Sequence, residues 1–200
     1  MTVSTDSKTT VRTPKFRASY AHKLFKASPN DQGVMKYSMS MIFDESQVDL
    51  SEMRKAAEAA AIEEWGKDRT KWPRNLRMPF RDGDEDRPDD PAYAGATFVG
   101  TSVNNQPEVV KIVSGEDGRR RFVAIGEDEF YSGCYAIASG RFKAYKVKGN
   151  IGIGFYVNNV VKVAEGERIG GSAPAKVAFA DMLDDDDFEL GEESAEDMFN

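Results

Sequence analysis

One cysteine and one histidine are all that 200 residues contain of those two types. Cys134 has no second thiol to pair with, which fits a reducing compartment. One Cys and one His also cannot build the usual zinc cage. No run of about 18 apolar residues occurs, so no segment has the composition of a spanning helix. The opening stretch, MTVSTDSKTT, has no apolar core of a secretory signal. These absences predict a cytoplasmic protein without membrane contact.

Signatures of catalysis are missing as well. No Walker-type loop, no G-x-S-x-G and no H-E-x-x-H is present. His22 stands in a strand-like pattern with no nucleophile motif nearby. GNIGIG at 149–154 lacks dinucleotide-fingerprint spacing. Gly152 and Gly154 read as strand curvature or a bulge, although a bare backbone would also let a base or sugar approach. In DGDED (82–86), Asp82, Asp84 and Asp86 alternate, yet glycine stands second rather than sixth and the closing Glu is absent. That is a solvated acidic loop, not a calcium loop. The expectation is therefore a non-enzyme with no catalytic residue, no metal site and no cofactor.

The formal charge of −7 looks hostile to nucleic acid, but it is segregated. All 27 Lys and Arg lie in residues 1–176 together with 24 of the 34 acids, a net +3. The other ten acids lie in 177–200 with no cation, a net −10. Such asymmetry suggests nucleic-acid contact plus an acidic interaction tail. Residues 1–10 are small and polar and are expected to be disordered. Residues 11–168 would form the folded domain, and 169–200 a flexible acidic tail.

Strand signals begin with alternation around Phe16, Ala18 and Tyr20, followed by a turn cluster at 28–33. In VMKYSMSMIF, Met35, Tyr37, Met39, Met41 and Phe43 share one face and Lys36, Ser38 and Ser40 the other. Asp49 and Glu52 have capping-box spacing. After them Leu50, Met53, Ala57, Ala61 and Trp65 recur as one amphipathic helix that stops at Gly66. Four prolines and dense charge make 67–96 a long loop. Further strands follow, with a hairpin at Asp117-Gly118 and a long terminal hairpin turning at 148–150. The fold class predicted is mainly β: a five-stranded, OB-type antiparallel barrel with one helix, extra hairpin and loop insertions, and an acidic tail.

Three segments mix cations with aromatics and almost no acid: 12–26, 67–81 and 130–164. Unpaired nucleic acid needs this mixture, because cations follow phosphates and aromatic faces stack on bases at roughly 1–3 kcal/mol each. Alternation puts Arg141, Lys143 and Tyr145 on one side of their strand and Phe142 on the other, so Phe142 turns inward. The same logic turns Lys36 outward and Tyr37 inward. Aromatics in strands commonly fill cores, where Tyr37, Phe43, Phe142 and Phe155 are assigned, and strand cations can merely guard an edge. The candidate contacts are Lys15, Arg17, Lys23, Lys36, Lys71, Arg74, Arg77, Arg141, Lys143 and Lys148 for phosphates, with Tyr20, Phe25, Trp72 and Tyr145 for bases. The 67–81 segment is expected to move and close over the strand. In the tail, Asp184, Asp185, Asp186, Asp187, Phe188, Leu190, Met198 and Phe199 are candidates for partner binding and for competition with DNA.

The stretches SYAHKLFKA (19–27), KYSMSMIFDES (36–46), PFRDGDE (79–85), YSGCYAIASGRFKAY (131–145) and GNIGIGFYVNNVVKV (149–163) resemble a known family. It is the phage-encoded single-stranded DNA-binding proteins with an OB fold and an acidic C-terminal tail. The resemblance implies sequence-independent protection of single strands in phage replication or recombination, in the host cytoplasm. Replication or recombination proteins are expected as partners of the tail, and a homo-oligomer is expected on DNA. Tails of this kind often finish on Phe, whereas here Asn200 follows Phe199. Two other functions fit the same residues: a strand-annealing or recombination mediator, and an acidic-tail adaptor or DNA mimic. A metal-dependent nuclease is a more distant one.

Overall fold

The computed structural model describes residues 8–30, 32–147 and 149–170. The chain divides into two units, Met1–Ile169 and Gly170–Asn200. The expectation of disorder for 1–10 falls on residues 1–7, outside the described residues, as do those for Lys148 and for the tail residues Asp184 to Phe199, whereas Thr10 opens a strand.

Among the described residues, ten strands and two α-helices follow in chain order. They are β1 (Thr10–Arg12), β2 (Phe16–Ser19), β3 (Ser28–Pro29), β4 (Met35–Phe43), α1 (Ser51–Trp65), β5 (Phe80–Asp82), α2 (Gly83–Asp86), β6 (Thr97–Val103), β7 (Glu108–Ser114), β8 (Arg120–Ala124), β9 (Tyr135–Val147) and β10 (Asn150–Ala164). Pairings run β9–β2–β4–β6–β10, and β10 pairs again with β9. Five strands thus form the ring of an OB-type fold. The expectation of an antiparallel barrel needs one correction, because the β6–β10 seam is parallel. That seam is also narrow, with one registered pair, Phe155 with Thr101. Thr101 strengthens it: its hydroxyl donates to the Phe155 carbonyl at 2.9 Å and accepts from the Val157 N–H at 3.2 Å. Beyond the ring, β1 extends β9 on one side, and the β7–β8 hairpin extends β10 through a second parallel pairing.

Alternation decides what enters the ring. Phe142, Ile153, Phe155 and Val157 are buried, whereas Arg141 and Lys143 are exposed. Phe142 and Phe155 meet at 5.0 Å between ring centroids, and Phe16 meets Phe43 edge-on at 5.8 Å. The alternation in β4 is less clean. Met39, Met41 and Phe43 are buried, but so are Ser40 and Ile42, while Met35 is 55 % exposed and Tyr37 only half-buried. Strands β2 and β6 flank β4, and the smaller cluster of Tyr93 and Phe98 covers Ile42 from outside.

Helix α1 buries Met53, Ala56, Ala57, Ala60 and Ala61. This stripe of alanines lets the helix lie close on β9. The expected capping box is not formed. Leu50 is the N-cap and makes no side-chain cap, while Asp49 accepts from the N–H and hydroxyl of Ser51, each at 2.8 Å.

Residues 67–96 are not the structureless loop expected. Strand β5 pairs with β6, and Asp82 caps α2 through the N–H groups of Asp84 and Glu85. Arg77 forms a bridge to β10: its N–H donates to Ile151 at 3.0 Å, and its carbonyl accepts from Ile153 at 2.9 Å. Short polar caps and backbone pairing order the segment where proline and charge erase periodicity.

Candidate nucleic-acid interface

On β9, Arg141, Lys143 and Tyr145 share the outer face, and on β10 their partners are Tyr156, Gly154 and Gly152. The glycines make room. A Cβ on Gly152 would sit 2.5 Å from Tyr145 Oη, and one on Gly154 would lie between Tyr145 and Tyr156 at 3.5 and 3.4 Å. Two tyrosine rings therefore lie along a bare strip of β10. The reading of these glycines as plain curvature misses this role. Burial pushes the Tyr156 phenol above its ordinary value near 10, with Tyr145 beside it adding to the shift.

Lys36 of β4 faces this strip. One depression joins Lys36, Ser102, Asn104, Arg141, Lys143 and Tyr156; the next joins Lys36, Arg77, Tyr145 and Tyr156 along Gly100 and Gly154. The two share Lys36, Ser102 and Tyr156 and form one groove. No Asp or Glu lines it among the described residues. Several cations elsewhere are paired with acids, as in Arg54–Glu45, Arg81–Asp86 and Arg121–Asp117. Lys36 donates to the neutral Asn104 side chain instead. A groove of unneutralised cations walled by aromatics is suited to a polyanion with exposed bases.

The other candidates lie apart from this groove. Lys15 and Arg17 line a separate depression with Tyr135 and Asp44. There the Lys15 ammonium lies 5.3 Å from the Tyr135 ring centre, and Arg17 Nη2 donates to the Glu167 carbonyl at 2.7 Å. Tyr20, at φ 55°, holds its ring beside Lys23 and Arg87. Phe25 packs on Phe130 at 6.3 Å and borders the core. The Trp72 indole N–H donates to the Gly66 carbonyl at 2.8 Å, and its ring also borders the core. Lys71 lies 3.8 Å from Asp68, and Arg74 is exposed on the same segment. In the DGDED stretch, Asp82 and Asp84 accept backbone N–H groups and Asp86 pairs with Arg81.

Tyr156 is the residue that sequence reasoning passed over as a contact. Its signal was present: in GIGFYV the same alternation that turns Phe155 inward puts Tyr156 beside Gly154 and Gly152.

The five-strand ring with a basic, aromatic groove on its outer face gives the chain a mainly β, OB-like fold, although the sheet is not a true barrel. A family model described as Enterobacter phage Enc34, ssDNA-binding protein, matches residues 9–189, and the chain belongs to that family. Several solved structures share the fold. The single-stranded DNA-binding protein from bacteriophage Enc34 in complex with ssDNA is 19% identical, with a TM-score of 0.63 over 82% of this chain and 91% of that one. Its C-terminal truncation is 21% identical, with a TM-score of 0.60 over 81% and 89%. A comparison with curated proteins gave no match.

Proposed function

We propose that this chain is a non-enzymatic, single-stranded DNA-binding protein that coats strands without reading sequence during phage DNA replication or recombination. The observation that carries the proposal is the groove of Lys36, Arg77, Arg141 and Lys143 around Tyr145 and Tyr156, which no Asp or Glu lines among the described residues. Membership in a family described by ssDNA binding supports it. Cations would follow the phosphates and the two rings would stack on bases, which needs only a π-face and so tolerates any sequence. Lys15, Arg17, Lys23, Lys71 and Arg74, outside the groove, would add to the field that draws the polyanion in.

The ten acids of residues 177–200 give the tail two further roles in this proposal. Tethered at high effective concentration, it competes with DNA for the cations. Once displaced, it offers Phe188, Leu190, Met198 and Phe199 to a replication or recombination partner. Titrating fluorescent oligo-dT into the full chain and a 1–176 truncation at two salt concentrations tests both parts. Binding should weaken steeply with salt, by about −0.7 in log-log slope per phosphate neutralised. The truncation should bind more tightly. A salt-indifferent curve would sink the groove, and equal or weaker binding by the truncation would sink tail competition.

A further inference from the structure

The β7–β8 hairpin stands outside the five-strand ring, and β8 buries none of its five residues. Phe122 is 68 % exposed and sits opposite Ile112, itself 48 % exposed. Single exposed apolar residues are ordinary, but a phenylalanine facing solvent beside an isoleucine, in a hairpin that feeds only Val109 of β7 into the main core, needs a reason.

Strand register supplies one. Residues paired across a sheet point to the same side. Arg141 pairs with Tyr156, and beyond the bulge at 157/159, Ser139 pairs with Asn159 and Ile137 with Val161. Val161 pairs in turn with Val110 on β7, which pairs with Ala124 on β8. Two residues further along, Ile112 faces Phe122, and then Ser114 faces Arg120. Phe122 and Arg120 therefore lie on the same outer face as Arg141, Lys143, Tyr145 and Tyr156. Arg121, of opposite parity, turns to the other side and pairs with Asp117 at 2.7 Å. Glu108, opposite Asn159, is an acid on this face at the near end of β7. With a rise of about 3.3 Å per residue and about 4.8 Å between strands, Phe122 lies on the order of 20 Å from Tyr156 along the sheet.

We infer that the β7–β8 hairpin is a second subsite for the same single strand, with Phe122 stacking on a base and Arg120 meeting a phosphate beyond the groove. The occupant is single-stranded nucleic acid because the exposed ring comes with a cation on the same side and continues the face that carries the groove. Arginines along β8 also guard its open edge against pairing with another strand. The inference rests on the proposed groove and extends it.

The full chain and an Arg120→Ala/Phe122→Ala variant would be titrated with oligo-dT of about six and about twenty nucleotides, lengths that bracket the roughly 4–16 nucleotides held by one OB fold. Substitution at these exposed positions should leave the melting temperature unchanged. The variant should bind the short oligomer like the parent and the long one about tenfold more weakly. Its salt slope on the long oligomer should be shallower by about 0.7. Unchanged binding at both lengths, or equal loss at both, would overturn the subsite. So would a self-association in sedimentation that the variant abolishes while long-oligomer affinity is kept, because the face would then belong to a second copy. A parent chain that binds neither length would refute the groove itself, an outcome distinct from the others.

Discussion

The phenol of Tyr145 lies across Gly152, so closely that a Cβ there would fall 2.5 Å from Tyr145 Oη and 2.8 Å from the Arg77 carbonyl. One bare position on β10 thus seats a ring from β9 and receives the bridge from residues 67–79. Gly152→Ala must displace at least one of them, and the carbonyl is held by the Ile153 N–H at 2.9 Å. Oligo-dT affinity should fall fivefold or more, roughly the loss of one stacked base. Gly154→Ala, whose Cβ would meet the rings at 3.4–3.5 Å, should change affinity far less. Fluorescence titration of both variants checks the contrast.

Groove cations and rings should fail in different ways. Arg141→Ala and Lys143→Ala should each make the salt dependence shallower by about 0.7 in log-log slope. Tyr145→Ala and Tyr156→Ala should keep the slope and lose about 1–3 kcal/mol at every salt concentration. Arg54→Ala, which removes a cation already paired with Glu45 at 2.7 Å, is the control and should leave the slope unchanged. Titrations at several salt concentrations separate these outcomes.

Phe142 is buried between Phe155 and Phe80, at 5.0 and 6.0 Å between ring centroids. Phe142→Ala should destabilise the fold by about 3–5 kcal/mol in urea unfolding, from lost burial plus the cavity left behind. Its neighbours Arg141→Ala and Lys143→Ala, pointing outward, should stay within about 0.5 kcal/mol of the parent.

Acid should loosen the segment that follows β10. Hydrogen bonds from Lys162 and then Tyr131 hold the Glu165 carboxyl below its ordinary value near 4.5. A lowered folded-state pKa means that the unfolded chain binds the proton more readily. This contribution to stability is therefore present above about pH 4.5 and is lost as pH falls through the lower folded value. Glu165→Gln should remove that part of the pH dependence. Protection of the Ile169 N–H, which donates to the Ser132 carbonyl at 2.9 Å, measured relative to the intrinsic exchange rate at each pH, should fall in acid in the parent and be already lower in the variant at neutral pH.

Some of this architecture is legible in the sequence and some is not, for physical reasons. Period-two alternation is local, so the inward turn of Phe142 and the outward row of Arg141, Lys143 and Tyr145 follow from the five adjacent residues 141–145. Closure of the ring is not local: Thr101 and Phe155 stand 54 residues apart and carry no mark of their pairing. The 67–96 segment hides β5 because three residues are too few to show a period. Alternation also says which side chains face out without saying which depression they share. For that reason Lys15 and Arg17 look equivalent to Lys36 and Arg141 in sequence, yet line a different depression. Phe25 and Trp72 show the same limit, since an aromatic beside cations reads alike whether it stacks on a base or borders the core.

Photocross-linking of oligo-dT to the full chain, with the attached residues mapped by mass spectrometry, tests the groove most directly. The cross-links should fall on Tyr145 and Tyr156 and disappear when salt releases the strand. Cross-links confined to the Lys15–Arg17 depression or to Tyr20, with Tyr145 and Tyr156 unmodified at saturating DNA, would contradict it.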